Sequence, residues 1–154
     1  MPIYYIDGGS QGNEQKGKPR NARIAIAYSE SSHKIDPATL EVYWEAVGDK
    51  TNNEAEYLAL LKALELISEK VAKNMTSGTE GELLVRSDST LIVNQVKGEF
   101  QVKEPRLREL NERAKEALQK LGSVRLEWVP RRENYAGLWI EGVLRPLRIY
   151  KLSS

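Results

Sequence analysis

Two aspartates each stand at the end of a predicted strand. Asp7 closes the stretch IYYID (3–7) and is followed by two glycines, while Asp88 closes ELLVRSD (82–88) and precedes a helix-like stretch. Turn or helix-capping chemistry could explain either residue, because Asp accepts hydrogen bonds from nearby backbone amides. Ligands, however, also collect at the carboxyl ends of strands in an open sheet. On neighbouring strands, the two carboxylates could therefore face each other.

A third carboxylate lies within the predicted helix over 51–71. Glu56 falls within about 40° of Leu60 around the helix axis, so it belongs to the apolar stripe that the helix buries. A buried carboxylate is costly unless it is paired, protonated or bound to a cation. Glu54, in contrast, lies on the polar side and fits a capping box that begins at Thr51. Three converging carboxylates favour an oxygen-ligand site for Mg²⁺ or Mn²⁺.

The elements that must position these side chains follow from the periodicity of apolar residues. Three strand-like stretches come first, and helices and strands then alternate. The strands are predicted over 3–7, 23–29, 40–47, 82–88 and 124–130, and the helices over 51–71, 89–96 and 103–122, with a weak helix within 131–144. This order predicts a mixed α/β (α+β) fold, with a five-stranded mixed sheet flanked by helices. We expect a single domain over 1–154 with a short C-terminal tail at 145–154.

Composition narrows the chemistry and the expected compartment. The 154 residues include no cysteine, which excludes disulfides, thiolate zinc sites and a cysteine nucleophile. No apolar run is long enough to span a membrane, and the start MPIYYIDGG lacks the features of a signal peptide. We therefore expect a cytoplasmic protein without a membrane partner. The net charge is +1, with the more basic half at the C-terminal end, which suits either partial contact with a polyanion or an ordinary solvated face.

Five segments, in order along nearly the whole chain, carry a resemblance to a known family. They read DGGSQGN (7–13), TNNEAEYLALLKALE (51–65), VRSDSTLIVNQVKG (85–98), VKEPRL (102–107) and WVPRREN (128–134). Together they resemble the type 1 ribonuclease H family, with its Asp-Gly-x-x-x-Gly-Asn, Thr-Asn-Asn-x-x-Glu and Ser-Asp-Ser signatures. As a set these motifs are specific, although each alone is weak.

The resemblance implies a ribonuclease H-like fold and an endonuclease that hydrolyses the RNA strand of RNA/DNA hybrids. It also implies two divalent metal ions, Mg²⁺ or Mn²⁺, which would activate a water and stabilise the leaving 3′ oxygen. Asp7, Glu56 and Asp88 match the metal-binding carboxylates of the family and are its implied catalytic residues. We expect the protein to be a monomer whose partner is the hybrid.

The resemblance implies six further positions as substrate contacts: Gly8, Gly9, Asn13, Asn52, Asn53 and Asn94. The two glycines would leave room for a nucleic-acid backbone to come close. The first three asparagines match positions that hydrogen-bond the two nucleic-acid backbones, and the last matches a polar contact on the short helix. Capping and turn chemistry would also explain the asparagines, and both roles can hold at once.

One chemically important position departs from the family. An Asp normally follows four residues after the asparagine matched by Asn134, but here that position is Leu138, or Gly137 if one residue is deleted. Neither residue can bind a metal. Water could complete the coordination, since Mg²⁺ usually retains several waters. Asn134 could instead offer an amide oxygen, and Glu141, one turn beyond Leu138, could project toward the site. We expect water first, then Asn134 and then Glu141.

Three functions compete at this point. The first is a ribonuclease H acting on RNA/DNA hybrids, and the second is a nucleic-acid-binding module that kept the fold and lost turnover. The third is a different nuclease or a transposition domain built on the same fold. The full motifs around Asp7, Glu56 and Asp88 favour the first function over the second. An additional DNA-binding domain is not expected, which favours the first over the third.

Overall fold

The described part of the chain forms one mixed sheet with helices on both faces. The computed structural model describes residues 1–11, 20–73 and 82–152. The strands are β1 Ile3–Gln11, β2 Asn21–Ser29, β3 Glu41–Gly48, β4 Leu83–Ser87, β5 Val124–Trp128 and β6 Arg148–Lys151. The helices are α1 Asn52–Ala72, α2 Thr90–Val96, α3 Pro105–Leu121 and α4 Tyr135–Ile140, with single 3-10 turns at Pro37–Thr39 and Arg131–Glu133. No helix in these ranges has both the length and the apolar character needed to cross a bilayer.

The strand order places the carboxyl ends of β4 and β5 side by side and next to the middle of β1. Across the sheet the order is β5-β4-β1-β2-β3-β6. β1 pairs antiparallel with β2 and parallel with β4, and β4 pairs parallel with β5. Ile6 lies opposite Ser87 in the register between β1 and β4. The next residues, Asp7 within β1 and Asp88 directly after β4, therefore lie side by side. The strand β1 continues to Gln11 because it keeps pairing with β2, so the expectation that this strand ends at Asp7 is wrong.

The predicted mixed α/β fold is confirmed, but the sheet has six strands and not five. The sixth strand, β6, lies in the segment 145–154 that was expected to be a tail, and it pairs parallel with β3. Tyr150 stacks on Tyr43 with 5.1 Å between ring centroids. The stretch is too short to show a periodicity of its own, so its strand conformation depends on the edge that β3 offers. Tertiary context of this kind is invisible in the local pattern.

Alternation along β1 divides the core between the two faces of the sheet. Tyr4 and Ile6 belong to the larger cluster of buried residues, together with Leu60 and other residues of α1. Ile3 and Tyr5 belong to the smaller cluster, which includes Ala136 of α4. The sheet is therefore covered on both faces along the first half of β1. By the same alternation, the residue after Ile6 points toward the face covered by α4.

The start of α1 is fixed against β1 by side-chain caps. Thr51 and Glu54 form the predicted capping box, in which each side chain accepts a hydrogen bond from the other residue's backbone N–H at 3.1 Å. Asn52 Oδ1 accepts from the backbone N–H of Ser10 at 2.8 Å. Glu54 was expected on the polar side, yet it is only 6% exposed. Its carboxylate folds back over the helix start, and the first turn of α1 packs closely on the sheet.

The close approach of α1 to β1 depends on Gly8. A Cβ atom at this position would lie 2.2 Å from the carbonyl oxygen of Ala55 and 2.6 Å from the backbone nitrogen of Glu56. Both neighbours are backbone atoms of α1, so they cannot move away as a flexible side chain could. Gly8 is therefore required by internal packing, and the contact brings Glu56 against the middle of β1, beside Asp7.

Gly8→Ala is expected to lower the free energy of unfolding by about 1–3 kcal/mol, because overpacking forces the backbone to shift. Urea denaturation of the variant and the parent would measure this change. Gly9→Ala is the matched control, since a Cβ atom at Gly9 meets nothing within 4 Å. Equal stability of Gly8→Ala and Gly9→Ala would contradict the packing account.

Candidate metal centre

Three carboxylates meet where β4 ends beside the middle of β1. One oxygen from each of Asp7, Glu56 and Asp88 lies within 4.8 Å of the other two. Asp7 is 2% exposed and Glu56 is 8% exposed, whereas the Asp88 side chain is 13% exposed. The structure thus brings together the three residues that the sequence singled out. Their role as metal ligands remains a prediction.

The Glu56 carboxylate is held on one side and unsatisfied on the other. Oε1 accepts a hydrogen bond from the backbone N–H of Gly8 at 2.8 Å, while the buried Oε2 has no hydrogen-bond donor among the described residues. Glu56 and Asp7 can share a hydrogen bond only when one of the two carboxyl groups is protonated. Burial, followed by the charge of Asp7, raises the pKa of Glu56 well above its usual value. If Glu56 and Asp7 are both ionised, a nearby cation is therefore needed to offset their repulsion.

Asp7 has a similar conflict, which a positive charge partly relieves. Burial raises the pKa of Asp7, and hydrogen bonding to Glu56 and Arg131 opposes that rise. The charge of Arg131 acts in the same opposing direction, whereas the charge of Asp88 adds to the rise. In a buried site, carboxylates at this spacing cannot all be ionised without compensation. The arrangement is suited to a hard divalent cation, which prefers carboxylate oxygens.

Asp88 does not cap the helix that follows it. Ser89 is the N-cap of α2, and its Oγ accepts a hydrogen bond from the backbone N–H of Ile92 at 3.2 Å. The backbone carbonyl of Asp88 accepts a hydrogen bond from Nε1 of Trp128 at 3.1 Å, which ties the loop to β5. The capping explanation for Asp88 is therefore wrong. Its carboxylate instead faces the other acidic residues.

A guanidinium group lies among the carboxylates. Arg131 Nη1 donates to Asp7 Oδ1 at 2.7 Å and to Asp88 Oδ2 at 2.8 Å. Its Nε and Nη2 contact Glu141 Oε1 at 3.0 and 2.9 Å. Burial alone would lower the pKa of Arg131, but hydrogen bonds and charges of Asp88 and Asp7 outweigh burial and raise it. The group is therefore a permanent cation bound to two of the three carboxylates.

Sequence analysis missed Arg131, although one signal pointed to it. Only Val129 and Pro130 separate Arg131 from the end of β5, and β5 pairs in parallel with β4. An Arg at the carboxyl end of the strand next to β4 must emerge beside Asp88. That inference requires the order of the strands, which periodicity alone does not supply.

The Arg131 guanidinium occupies space that is free because Gly137 has no side chain. A Cβ atom at Gly137 would lie 2.6 Å from Arg131 Nη1 and 2.8 Å from its Cζ. Gly137 is one of the two positions that match the acidic residue expected in the family. Any side chain at Gly137 would thus compete for space with the guanidinium in its present position.

Asn134 positions Asp88 and begins α4. Its Nδ2 donates to the backbone carbonyl of Ile6 and to Asp88 Oδ2, each at 2.9 Å. Its Oδ1 accepts from the backbone N–H of Ala136 at 3.2 Å, as the N-cap of α4. The carbonyl of Ile6 can only accept and the N–H of Ala136 can only donate, so the orientation of the amide is fixed. The amide oxygen, which was the second alternative after water for the fourth position, is engaged in capping. A metal-binding role for Asn134 stays a prediction that this geometry does not favour.

Glu141 faces Arg131 and lies outside the group of three carboxylates. Its Oε1 accepts the hydrogen bond from Arg131 Nε, and its side chain is 46% exposed. Among the described residues, only the guanidinium of Arg131 connects Glu141 to the three carboxylates. The third-ranked alternative, Glu141 as a substitute ligand, remains a prediction, as does coordination by water, which was expected first.

Three of the four predicted substrate-contact asparagines lie within the described residues, in different settings. Asn52 is exposed and accepts from the Oγ of Ser10 at 3.3 Å as well as from its N–H. Asn53 is half-buried, and Asn94 donates from Nδ2 to the carbonyl of Thr90 at 2.9 Å. Asn13 lies outside the described residues. A role in substrate binding stays a prediction for all four asparagines.

The two predicted glycine contacts differ from each other. The space beside Gly9 is open, as an approaching nucleic-acid backbone would require, whereas the space beside Gly8 is filled by the backbone of α1. Internal packing therefore explains Gly8 without a ligand. Substrate binding at both glycines remains a prediction.

Comparison with known proteins agrees with the fold and the motifs. Residues 36–137 match a family model described as reverse transcriptase-like. A bifunctional protein of Mycobacterium tuberculosis is 33% identical over 132 residues, which cover 86% of this chain and 32% of that protein. The ribonuclease HI of Halobacterium salinarum is 30% identical over 130 residues, which cover 84% of this chain and 57% of that protein. The chain thus spans less than two thirds of the length of either relative.

Two solved structures share the architecture over most of both chains. The RNase H1 of Halobacterium salinarum superposes with a TM-score of 0.68 at 28% identity, over 88% of this chain and 89% of that chain. LC11-RNase H1, isolated from compost by a metagenomic approach, was solved in complex with an RNA/DNA hybrid. It superposes with a TM-score of 0.68 at 30% identity, over 87% of this chain and 88% of that chain. The chain belongs to the type 1 ribonuclease H family.

Proposed function

We propose that this protein is an endonuclease that hydrolyses the RNA strand of RNA/DNA hybrids by a two-metal-ion mechanism. The observation that carries the proposal is the buried Glu56 Oε2, which has no donor among the described residues and lies beside the carboxylates of Asp7 and Asp88. A buried oxygen left unpaired is costly, and a divalent cation would satisfy it. The hybrid as substrate is supported by the complex of LC11-RNase H1.

The donor set suits Mg²⁺ or Mn²⁺. Asp7, Glu56 and Asp88 would hold the ions, since all three offer the carboxylate oxygens that hard cations prefer. When bound, two such ions activate a water and stabilise the leaving 3′ oxygen at phosphorus. The chain's own part is to fix these ligands. The N–H of Gly8 orients Glu56, and Asn134 orients Asp88.

The surroundings of the site are compatible with an approaching nucleic acid. Hybrids are recognised mainly by the shape of the minor groove and by 2′-hydroxyl groups. Gly9, on β1, has open space beside it, and Asn52, at the start of α1, has an exposed amide. Both residues lie next to the carboxylates. We assign substrate contacts to these residues and to Gly8, Asn13, Asn53 and Asn94. The proposal also includes a single domain, a monomeric state and a cytoplasmic location.

One observation favours a second candidate, a hybrid-binding module with weakened or lost turnover. Arg131 pairs with Asp7 and Asp88 and so competes with the ions for two of the three carboxylates. Leu138 and Gly137 supply no fourth carboxylate. Binding of the hybrid without cleavage is the result that would distinguish this module from the enzyme.

A substrate panel tests the proposal. We expect the purified protein to cleave the RNA strand of a labelled RNA/DNA hybrid in the presence of Mg²⁺ or Mn²⁺, and to leave RNA/RNA, DNA/DNA and single-stranded RNA intact. Chelation with EDTA should stop the reaction. Hybrid binding without cleavage at any concentration of either metal would favour the binding module. Cleavage of DNA would indicate a different nuclease on the same fold.

A further inference from the structure

The Arg131 guanidinium is built into the metal centre by contacts on two sides. On one side, Nη1 bridges Asp7 Oδ1 and Asp88 Oδ2. On the other side, Nε and Nη2 contact Glu141 Oε1. The guanidinium can form these contacts because Gly137 carries no side chain. The group is thus anchored to Glu141 as well as to the two aspartates.

The guanidinium and a divalent cation compete for the same two carboxylates, those of Asp7 and Asp88. Mg²⁺ binds carboxylate oxygens at about 2.0–2.1 Å and demands near-octahedral geometry. Nη1 already approaches one oxygen of Asp7 and one of Asp88 within 2.7–2.8 Å. Both aspartate contacts of Nη1 must loosen if these two oxygens are to bind an ion. The contacts to Glu141 involve other nitrogen atoms and need not break.

We propose that Arg131 is a resident counter-ion of the metal centre, which neutralises Asp7 and Asp88 in the metal-free protein and withdraws toward Glu141 when a divalent cation binds. The inference rests on the proposed function, because it assumes that these carboxylates hold metal. It makes Arg131 a residue that sets the affinity of the site. Glu141 is then a positioning residue, which keeps a partner for the guanidinium after it leaves the aspartates.

Removal of the guanidinium should strengthen metal binding. Arg131→Gln is expected to bind Mn²⁺ about tenfold or more tightly than the parent, since charge-assisted hydrogen bonds no longer compete for the ligands. Arg131→Lys keeps the charge but cannot bridge both aspartates and Glu141 as the planar guanidinium does, so its affinity should be intermediate. Calorimetric titration with Mn²⁺, without nucleic acid, measures these affinities.

The matched control is Arg132→Gln, which removes the same charge one residue away. Arg132 makes no ion pair within the described ranges, so its substitution should leave Mn²⁺ affinity within about twofold of the parent. Thermal denaturation gives a second readout. Without metal, Arg131→Gln should melt below the parent, and saturating Mn²⁺ should raise its melting temperature by more. Equal or weaker Mn²⁺ binding by Arg131→Gln, relative to Arg132→Gln, would overturn the proposal.

Glu141→Gln should change metal affinity in the opposite direction. Without Glu141 the guanidinium has no partner to retain when it leaves the aspartates, so Mn²⁺ binding should weaken several-fold. A direct metal ligand would give the same single-variant result. The double variant Arg131→Gln/Glu141→Gln separates the two roles. Affinity equal to that of Arg131→Gln alone supports the positioning role, and a further loss would overturn it.

Failure of this inference and failure of the proposed function give different results. If the parent never cleaves the hybrid but its Arg131→Gln variant binds Mn²⁺ more tightly, the proposed ribonuclease activity is refuted and the counter-ion role of Arg131 is supported. If the parent cleaves the hybrid but its Arg131→Gln variant shows no gain in Mn²⁺ affinity, the counter-ion role is refuted and the proposed ribonuclease activity is supported.

Discussion

Asp7→Asn is expected to abolish hybrid cleavage while the protein stays folded. The side chains are nearly identical in size, and the amide oxygen can still accept the hydrogen bond from Arg131 Nη1. What is lost is one of three negative charges that would hold the ions. Metal-ion catalysis supplies several kcal/mol of transition-state stabilisation, so turnover should fall by at least about a thousandfold. Hybrid cleavage at saturating Mg²⁺ measures the effect.

Circular dichroism and thermal denaturation provide the control for Asp7→Asn. Because burial raises the pKa of Asp7, the neutral amide should leave the metal-free protein at least as stable as the parent near neutral pH. Loss of activity in an unfolded variant would carry no information about the site. Undiminished turnover in the folded variant would contradict the assignment of Asp7 as a metal ligand.

Glu56→Gln should also abolish cleavage, and it should stabilise the metal-free protein. Oε1 of the new side chain can keep the hydrogen bond from Gly8, and its amide nitrogen can donate to Asp7. The variant thereby removes a buried oxygen that lacks a donor in the described part of the chain. We expect the free energy of unfolding to rise by about 1–3 kcal/mol at neutral pH. Chemical denaturation in the presence of EDTA measures the change.

The stability gain should depend on pH with a definite sign. Burial raises the pKa of Glu56 in the folded protein above the ordinary value of about 4.5 that applies in the unfolded chain. Below that value both states hold the proton and Glu56 contributes no pH dependence. As the pH rises above it, the unfolded chain releases its proton first, so the free energy of unfolding of the parent falls until the folded pKa is passed. Glu56→Gln should show a smaller fall over this window.

Glu54→Gln is the matched control for Glu56→Gln. The residue lies two positions away on α1, is similarly buried, and belongs to the capping box and not to the carboxylate cluster. Its variant should retain most of the activity and lose a little stability through the weakened cap. Greater loss of cleavage in Glu54→Gln than in Glu56→Gln would show that the assignment from helical phase is wrong.

The features predicted correctly from sequence all have local signals. Asp88 follows a stretch with the composition and alternation of a strand, Asp7 lies in another such stretch, and Glu56 shares a helical face with apolar residues. The capping box at Thr51 is a four-residue pattern. Signals of this kind need only a short window, so the convergence of the three carboxylates could be anticipated before any strand order was known.

The features that were missed depend on contacts between distant segments. The strand β6 forms because β3 offers an unpaired edge. The burial of Glu54 results from the tight packing of α1 on β1 at Gly8. Arg131 reaches Asp7 across 124 positions of sequence, and it does so through space that Gly137 leaves open. A pattern confined to one segment contains no information about such pairings.

The dependence of hybrid cleavage on metal concentration tests the central claim most directly. The rate of RNA-strand cleavage would be measured for the parent and for Asp7→Asn as Mg²⁺ or Mn²⁺ is raised from zero to saturation. With three carboxylates, no fourth acidic ligand at Leu138 or Gly137, and Arg131 in competition, we expect the parent to cleave only at elevated Mg²⁺ or with Mn²⁺, and Asp7→Asn to remain inactive throughout. A folded parent that leaves the RNA strand intact at every concentration of both metals would contradict the account.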